Sequence, residues 1–375
     1  MKISRVEATY LTDIPVTPPP LRNEPSRASL TLVEIETEDG IVGYGKAGGG
    51  SDTVNFINRR AAAFLKDQNP FLTERIWSRM VREFAPRGPG SWGSALSAID
   101  IALWDIKGKA LGEPVWQLIG GAQNPVEAYI SFGLGGPNTS LSMVPAYTVD
   151  ELVEEATLLF KQGHTKLKTG VGRFEVPNPD EDAARMGALR EALGPDVKLL
   201  MDGGRNMAFH NALRLCKLCE PYHITFFEEP VPMNDPRLLA ELRRQTSVPL
   251  AANPAGYRSA YRELLLHDAV DFLQPNVASI GYTESCKVAE MAHAFNRFIA
   301  NGNGSGPHNM HLQAGMPNGW GVEFHYHNWM VYRAVYPNLP EPQGGWLTLP
   351  DTPGIGLDPD PEVMKAYRSE QESNA

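Results

Sequence analysis

Several charged residues stand at the ends of short apolar runs, where they could carry acid–base chemistry. Lys166 and Lys168 lie two apart in TKLKTG, so their side chains project to the same face of a strand. Two neighbouring ammonium groups lower each other's pKa, which predicts a lysine able to act as a general base near neutral pH. Asp202 ends the run LLMDGG, and Glu228 and Glu229 end the run TFFEEP. Carboxylates at successive strand ends could hold a hard divalent cation.

Each of these features has an ordinary explanation when it is taken alone. A pair of lysines two apart occurs on many solvated strands, and Glu-Glu-Pro could begin a helix, where negative charge is favourable. Together, in this order and at consecutive strand ends, they predict an active site.

The N-terminal third has the pattern of a separate domain. Residues 1–46 are typical of strands, with Asp39-Gly40 as a hairpin turn, and residues 51–118 have helical periodicity. The glycine-rich stretch GYGKAGGG follows this hairpin and does not open a helix after a parallel strand, so we reject a nucleotide-binding loop.

After Gly121 the chain alternates between apolar runs and amphipathic stretches. This alternation predicts parallel strands joined by helices, closed into a (β/α)8 barrel. We expect an N-terminal domain at 1–123, a barrel at 124–340 and a C-terminal segment at 341–375 that returns to the N-terminal domain. The predicted strands end near Ser131, Lys168, Asp202, Glu228, Asn253, Asn276, Gly302 and Phe324.

Charge and composition exclude several classes of partner. The chain has 34 Lys and Arg residues and 44 Asp and Glu residues, so its net charge is 34 − 44 = −10. This negative charge argues against a nucleic-acid partner. No apolar run approaches the ~20 residues of a membrane span, so we expect no membrane partner. The three cysteines favour a reducing cytoplasm. Cys216 and Cys219 could be a redox or zinc pair, but two small residues on one helix face are the favoured interpretation.

These residues, with SAIDIALWDIKGKALGEPVWQLIGG and LPDTPGIGLD, resemble the enolase superfamily of the mandelate racemase/muconate-lactonising type. The resemblance covers essentially the whole chain, and it implies an α/β fold in which a modified (β/α)8 TIM-type barrel carries an α+β capping domain built from both chain ends. It implies abstraction of a proton alpha to a carboxylate and stabilisation of the enediolate by Mg²⁺. By the same resemblance, Lys168 is the base, and Lys166 tunes it and contacts the substrate carboxylate. Asp202 and Glu228 match two metal ligands, and Glu229 matches their hydrogen-bonding neighbour.

The metal site implied by the resemblance is incomplete. The family's third carboxylate ends the fifth strand, where this chain has LAANP with Pro254 at the expected position. Asn253 could offer a carbonyl oxygen instead, and Arg205 could replace part of the metal's charge. We therefore expect at most a weakly held Mg²⁺ and no organic cofactor.

The chain also departs from the family at a second pair of catalytic residues, an aspartate and a histidine. Asn276 stands at the position of an aspartate, and Gly302 or Asn303 at the position of a histidine. Without this dyad, racemisation by two bases is disfavoured. Glu323 is a polar residue on the eighth strand, and His308 is the best candidate for a replacement acid.

Three functions remain open at this stage. We favour a lyase of the dehydratase type, or a cycloisomerase, acting on a small hydroxy or sugar acid. The alternatives are a racemase or epimerase that uses Lys168 with His308, and a degenerate barrel that binds an acid without turning it over. In each case we expect a small-molecule carboxylate ligand, and we expect the chain to form a homo-oligomer.

Overall fold

An antiparallel sheet and a group of helices form the N-terminal part of the chain. The computed structural model describes residues 1–16, 26–133, 147–172, 178–300 and 307–369. The sheet has the order β1-β2-β3. Its strands are β1 (Ile3–Val16), β2 (Ser26–Thr37) and β3 (Val42–Ala47). The helices are α1 (Ser51–Asn55), α2 (Ala62–Leu65), α3 (Thr73–Phe84), α4 (Gly93–Leu111) and α5 (Val115–Leu118), with a π-helix (Phe56–Ala61) between α1 and α2.

Helix α4 packs tightly against β3 because two glycines remove the side chains between them. A Cβ atom on Gly43 would lie 2.2 Å from the carbonyl oxygen of Ala102, and one on Gly45 would lie 2.0 Å from that of Ala98. The first two glycines of GYGKAGGG, Gly43 and Gly45, thus allow close packing of strand and helix. Gly112 ends α4 in the left-handed conformation, with φ of 74°.

Within the described residues, eight parallel strands form a closed barrel in which the last strand pairs with the first. The fold predicted from the sequence is confirmed. The barrel strands are β4 (Val126–Phe132), β5 (Lys166–Gly170), β6 (Lys198–Asp202), β7 (Phe226–Glu228), β8 (Leu250–Ala252), β9 (Phe272–Leu273), β10 (Phe298–Ala300) and β11 (Gly319–His325). A short strand, β12 (Trp346–Leu347), adds to β4 in the antiparallel direction.

Helices surround the barrel, and the apolar core lies between helices and strands. They are α6 (Val149–Lys161), α7 (Pro179–Leu193), α8 (Phe209–Cys219), α9 (Pro236–Gln245), α10 (Arg258–Leu266), α11 (Val277–Ala294), α12 (Asn309–Gly315), α13 (Tyr326–Val335) and α14 (Pro361–Ala366). A separate aromatic cluster fills the barrel interior, formed by Tyr129, Leu200, Phe226, Ala251, Phe272 and Ala300 with Trp320 packed against it. The described helices include none that is both long and apolar enough to cross a membrane.

The C-terminal segment contacts the cap. The backbone N–H of Ile355 donates to Asp105 on α4, and the backbone N–H of Thr12 donates to the carbonyl of Tyr367. Cap and barrel are also joined directly, since Asp100 on α4 accepts hydrogen bonds from the backbone and hydroxyl of Thr283 on α11. The domain boundaries proposed from the sequence remain predictions.

Cys216 and Cys219 are both buried on α8. Burial raises the pKa of both thiols to about 12, so neither is a ready thiolate for redox chemistry or zinc. This environment supports the interpretation of the pair as small packing residues.

Candidate active site

Lys168 is the centre of a buried ion cluster at the C-terminal end of the barrel strands. Its ammonium nitrogen lies 2.6 Å from Oε2 of Glu228, 2.7 Å from Oε1 of Glu323 and 3.8 Å from Oδ2 of Asp202. Strands β5, β6, β7 and β11 supply these four side chains. The structure therefore brings together Lys168, Asp202 and Glu228, which the sequence predicted to be neighbours, and adds Glu323 to them.

The charge state of this cluster differs from the expectation of a lysine with a lowered pKa. Burial disfavours the ammonium of Lys168, but Glu228, Glu323 and Asp202 outweigh this and raise its pKa well above the ordinary value. Burial, with Asp202 and Glu323 nearby, raises the pKa of Glu228 to about 8 although Lys168 opposes it. The expected mutual lowering by two adjacent lysines was wrong for Lys168, because its neighbours are carboxylates.

Glu323 is held by a second contact that the sequence analysis did not identify. Its Oε1 accepts a hydrogen bond of 2.5 Å from the hydroxyl of Ser131, at the end of β4. Its other oxygen, Oε2, is buried without a hydrogen-bond partner among the described residues. A signal for Ser131 was present, since Glu127, Tyr129 and Ser131 alternate along one face of the predicted strand.

Lys166 lies two residues before Lys168 on β5, as expected, but its ammonium group contacts Glu127 and Trp320 instead of Asp202 and Glu228. It forms an ion pair with Glu127 and donates a 3.0 Å hydrogen bond to the carbonyl of Trp320, whose ring centroid is 3.7 Å away. Burial lowers the pKa of Lys166 to about 8, against the opposing effect of Glu127. These contacts hold Lys166 beside Glu127 and Trp320. Its predicted role at the substrate carboxylate remains a prediction.

Arg205 links the ends of three neighbouring strands. It follows β6, and its guanidinium pairs with Glu229, which follows β7, at 2.5 Å. The same nitrogen lies 3.2 Å from the carbonyl oxygen of Asn253, which follows β8. Asn234 donates to the same carbonyl oxygen at 2.7 Å, and the hydroxyl of Tyr261 donates to Oδ1 of Asn253 at 3.0 Å. Both oxygens of Asn253 are therefore engaged.

Asn276 stabilises the start of a helix. Its Oδ1 accepts hydrogen bonds of 3.0 Å from the backbone of Ala278 and from the side chain of Asn309, so it caps α11. Gly302 and Asn303, the other positions of the missing dyad, lie outside the described residues.

His308 is buried at the start of α12, beneath the cap. Its backbone carbonyl accepts a hydrogen bond of 2.7 Å from the hydroxyl of Tyr282. Burial, and then the positive charge of Lys46 from the cap, lower the pKa of His308 to about 3, so its imidazole is neutral near pH 7. Within the described part of the chain, no hydrogen bond joins His308 to the Lys168 cluster. Its role as a replacement acid remains a prediction.

Comparison with known protein families agrees with this architecture. Residues 15–120 match the N-terminal domain of mandelate racemase/muconate lactonizing enzymes, and residues 151–363 match the enolase C-terminal domain-like family. The chain belongs to the mandelate racemase/muconate lactonizing enzyme family. The resemblance to the enolase superfamily is confirmed.

Individual proteins are similar to the chain over nearly its whole length. An arabinonate dehydratase from Saccharolobus solfataricus is 30% identical over 357 residues, which is 90% of each chain. The structure of a 3,6-anhydro-D-galactonate cycloisomerase from Zobellia galactanivorans has a TM-score of 0.82 and 27% identity, and the match covers 99% of this chain and 100% of that one. A racemase from Streptomyces coelicolor, solved with bound magnesium, has a TM-score of 0.84 and 26% identity, covering 98% and 100%.

The donor set of this family member does not fit the metal site that the resemblance implies. Asp202 and Glu228 both face the ammonium of Lys168, and Pro254 has no side-chain donor. Oδ1 of Asn253 accepts from the backbone of Ala255 as well as from Tyr261, and its carbonyl oxygen already accepts from two side chains. Among the described residues, no group of three His, Cys, Asp or Glu side chains is arranged to hold a metal ion. The described donors at this strand end therefore do not complete a cation site.

Proposed function

We propose that the protein is a lyase that dehydrates a small sugar acid, starting from proton abstraction alpha to the carboxylate. The observation that carries this proposal is the contact of Lys168 with Glu228 and Glu323 on one side of the barrel mouth. Base and acid thus stand next to each other, which suits an elimination completed on one face of the substrate. Membership of a family that includes an arabinonate dehydratase supports the same reaction class.

The contacts of Lys168 define how protons move in this proposal. In the reacting form of the Lys168–Glu228 pair, the shared proton lies on Glu228, 2.6 Å away, and the free amine of Lys168 takes the α-proton of the substrate. This form is the minor one at rest, because the surrounding carboxylates raise the pKa of Lys168. The electron pair of the C–H bond forms the enediolate, and its collapse breaks the β-carbon–oxygen bond. The proton held by Glu228 leaves with hydroxide as water, and the resulting enol tautomerises to a 2-keto-3-deoxy acid.

A cycloisomerase is the second candidate, because ring opening or closure also needs a base and an acid on one face. The similar fold of the Zobellia cycloisomerase favours it specifically. Racemisation finds less support, because Asn276 is used as a helix cap and His308 is neutral near pH 7. The contacts of Lys168 with Asp202, Glu228 and Glu323 argue against the hypothesis of a protein that binds an acid without turning it over.

We also propose that the protein works in the cytoplasm as a homo-oligomer. The free, buried thiols of Cys216 and Cys219 support a reducing compartment. Light scattering coupled to gel filtration measures the mass in solution, and a mass near the 41.2 kDa of one chain would contradict the oligomer.

A panel of substrates tests the proposed reaction. The protein is incubated with arabinonate, xylonate, galactonate and related aldonates and lactones, and 2-keto acids are detected with semicarbazide and by mass spectrometry. We expect loss of one water, 18 mass units, from at least one aldonate, and we expect this product to be absent with Lys168→Met. Isomerised product of unchanged mass would identify the cycloisomerase instead, and no product from any acid would contradict both.

A further inference from the structure

Arg205 reaches the place where the family's third metal ligand is missing. Its guanidinium lies 3.2 Å from the carbonyl oxygen of Asn253, and the next residue in the chain is Pro254, which stands in place of the expected carboxylate. The Arg205 guanidinium therefore lies at the same strand end where the family's third carboxylate ligand is missing.

The backbone fixes Arg205 in this position. Its φ is 67°, in the left-handed region, and its backbone N–H donates to the carbonyl of Glu229 at 2.7 Å. Gly203 and Gly204 tie the same loop to the site, because their backbone N–H groups donate to the carbonyl of Glu228 and to the carboxylate of Asp202. Holding a non-glycine residue at positive φ costs free energy, which the surrounding hydrogen bonds must supply.

The guanidinium is not fully used by the protein. Its Nε is buried without a hydrogen-bond acceptor among the described residues. About a third of the side chain, 36%, is exposed at the C-terminal end of the strands. The exposed part of the guanidinium can therefore donate to an oxygen atom of a bound acid.

We infer that this site performs its chemistry without a divalent cation, and that the Arg205 guanidinium supplies the fixed positive charge that stabilises the enediolate. The inference rests on the proposed function, because it needs an enediolate to form. A guanidinium offers planar, paired N–H donors that match a carboxylate or enediolate, and it remains charged at all working pH values. Asp202 then serves as a partner of Lys168 and of the Gly204 backbone rather than as a metal ligand.

Metal binding can be tested without any substrate. The protein is treated exhaustively with EDTA and its metal content is measured by mass spectrometry, and Mn²⁺ is then titrated and followed by electron paramagnetic resonance. We expect no retained metal and no Mn²⁺ site tighter than about 1 mM. One Mn²⁺ bound per chain in the micromolar range would overturn the inference even if no substrate were found.

Turnover tests the role of Arg205. With an acid that reacts, we expect rates in EDTA within twofold of rates in 5 mM Mg²⁺; a tenfold or greater loss that Mg²⁺ restores would overturn the inference. Arg205→Ala should lower kcat by ~10²–10³-fold, the usual effect of removing one donor to a developing oxyanion. Added guanidinium at tens of millimolar should recover part of this loss, whereas a purely structural Arg205 would give a lower Tm and no recovery. Arg205→Lys should retain more activity than Arg205→Gln, and equal losses in these two variants would contradict a role for the charge.

Discussion

Replacing Lys168 with methionine removes a positive charge that contacts two buried carboxylates, Glu228 and Glu323, and lies 3.8 Å from the partly exposed Asp202. At an effective dielectric constant near 20, an ion pair at the 2.6–2.7 Å of Glu228 and Glu323 is worth about 6 kcal/mol, and taking the ammonium out of water cancels several kcal/mol of this. Breaking such a buried pair costs ~3–5 kcal/mol in other proteins. We expect a loss of this size in the free energy of unfolding at pH 9.5.

Proton uptake limits the loss at lower pH. Without the ammonium, Glu228 and Glu323 repel each other, and the pKa of Glu228, already raised to about 8, should rise further. A protonated Glu228 carries no charge, and Glu228 of the variant is already mostly protonated at pH 8, so the effect of Lys168→Met should shrink mainly between pH 9.5 and pH 8. Adding Glu323→Gln should recover part of the stability, because it removes one of the two unpaired charges.

Lys166→Met is the matched control. Both lysines are buried on β5, but the partner of Lys166, Glu127, is 34% exposed and keeps contact with water when the ammonium is removed. We expect a loss of about 1 kcal/mol, as for partly exposed pairs. Denaturant unfolding followed by circular dichroism at pH 8 and pH 9.5 measures all four proteins. Equal losses for the two lysine variants, or no pH dependence for Lys168→Met, would refute the assignment of the cluster.

Three further predictions follow from the described contacts. The wild-type free energy of unfolding should fall by at most ~4 kcal/mol between pH 4.5 and 8, because the pKa of Glu228 is higher in the folded protein than its unfolded value of 4.5. Urea titrations of Glu228→Gln should show a flatter dependence on pH, and a slope equal to that of the wild type would contradict this explanation. Cys216 and Cys219 should react with Ellman's reagent at pH 8 only after unfolding, and fast labelling of the native protein would contradict their burial. Tyr261→Phe should lower the free energy of unfolding by ~1 kcal/mol, because it leaves Oδ1 of Asn253 with one donor. Denaturant unfolding measures this loss, and a Tm equal to that of the wild type would contradict it.

Much of the fold and part of the site could be predicted from local sequence. Alternation of apolar runs and amphipathic stretches gives the barrel, and parallel pairing then places strand ends at one mouth, so Lys168, Asp202 and Glu228 had to be neighbours. The absence of the third carboxylate ligand could also be predicted, because a proline at position 254 has no side-chain atom that could bind a metal.

The remaining features depend on partners that are distant in the chain. The direction in which Lys166 extends is decided by Glu127 and Trp320, and no spacing rule along β5 contains that information. The raised pKa of Lys168 likewise depends on Glu323, 155 positions further on, since 323 − 168 = 155. Asn253 was expected to have an available oxygen, but contacts from three other elements use both of its oxygens.

Exchange of the substrate α-proton with solvent tests the central claim most directly. Each acid of the panel is incubated with the protein in D₂O, and the α-proton signal is followed by proton NMR in parallel with Lys168→Met and Lys166→Met. We predict loss of the α-proton signal, or its replacement by a deuterated keto acid, with wild type, and a rate lower by ~10²–10⁴-fold with Lys168→Met. Exchange at the wild-type rate in Lys168→Met would contradict the assignment of Lys168 as the group that takes the proton.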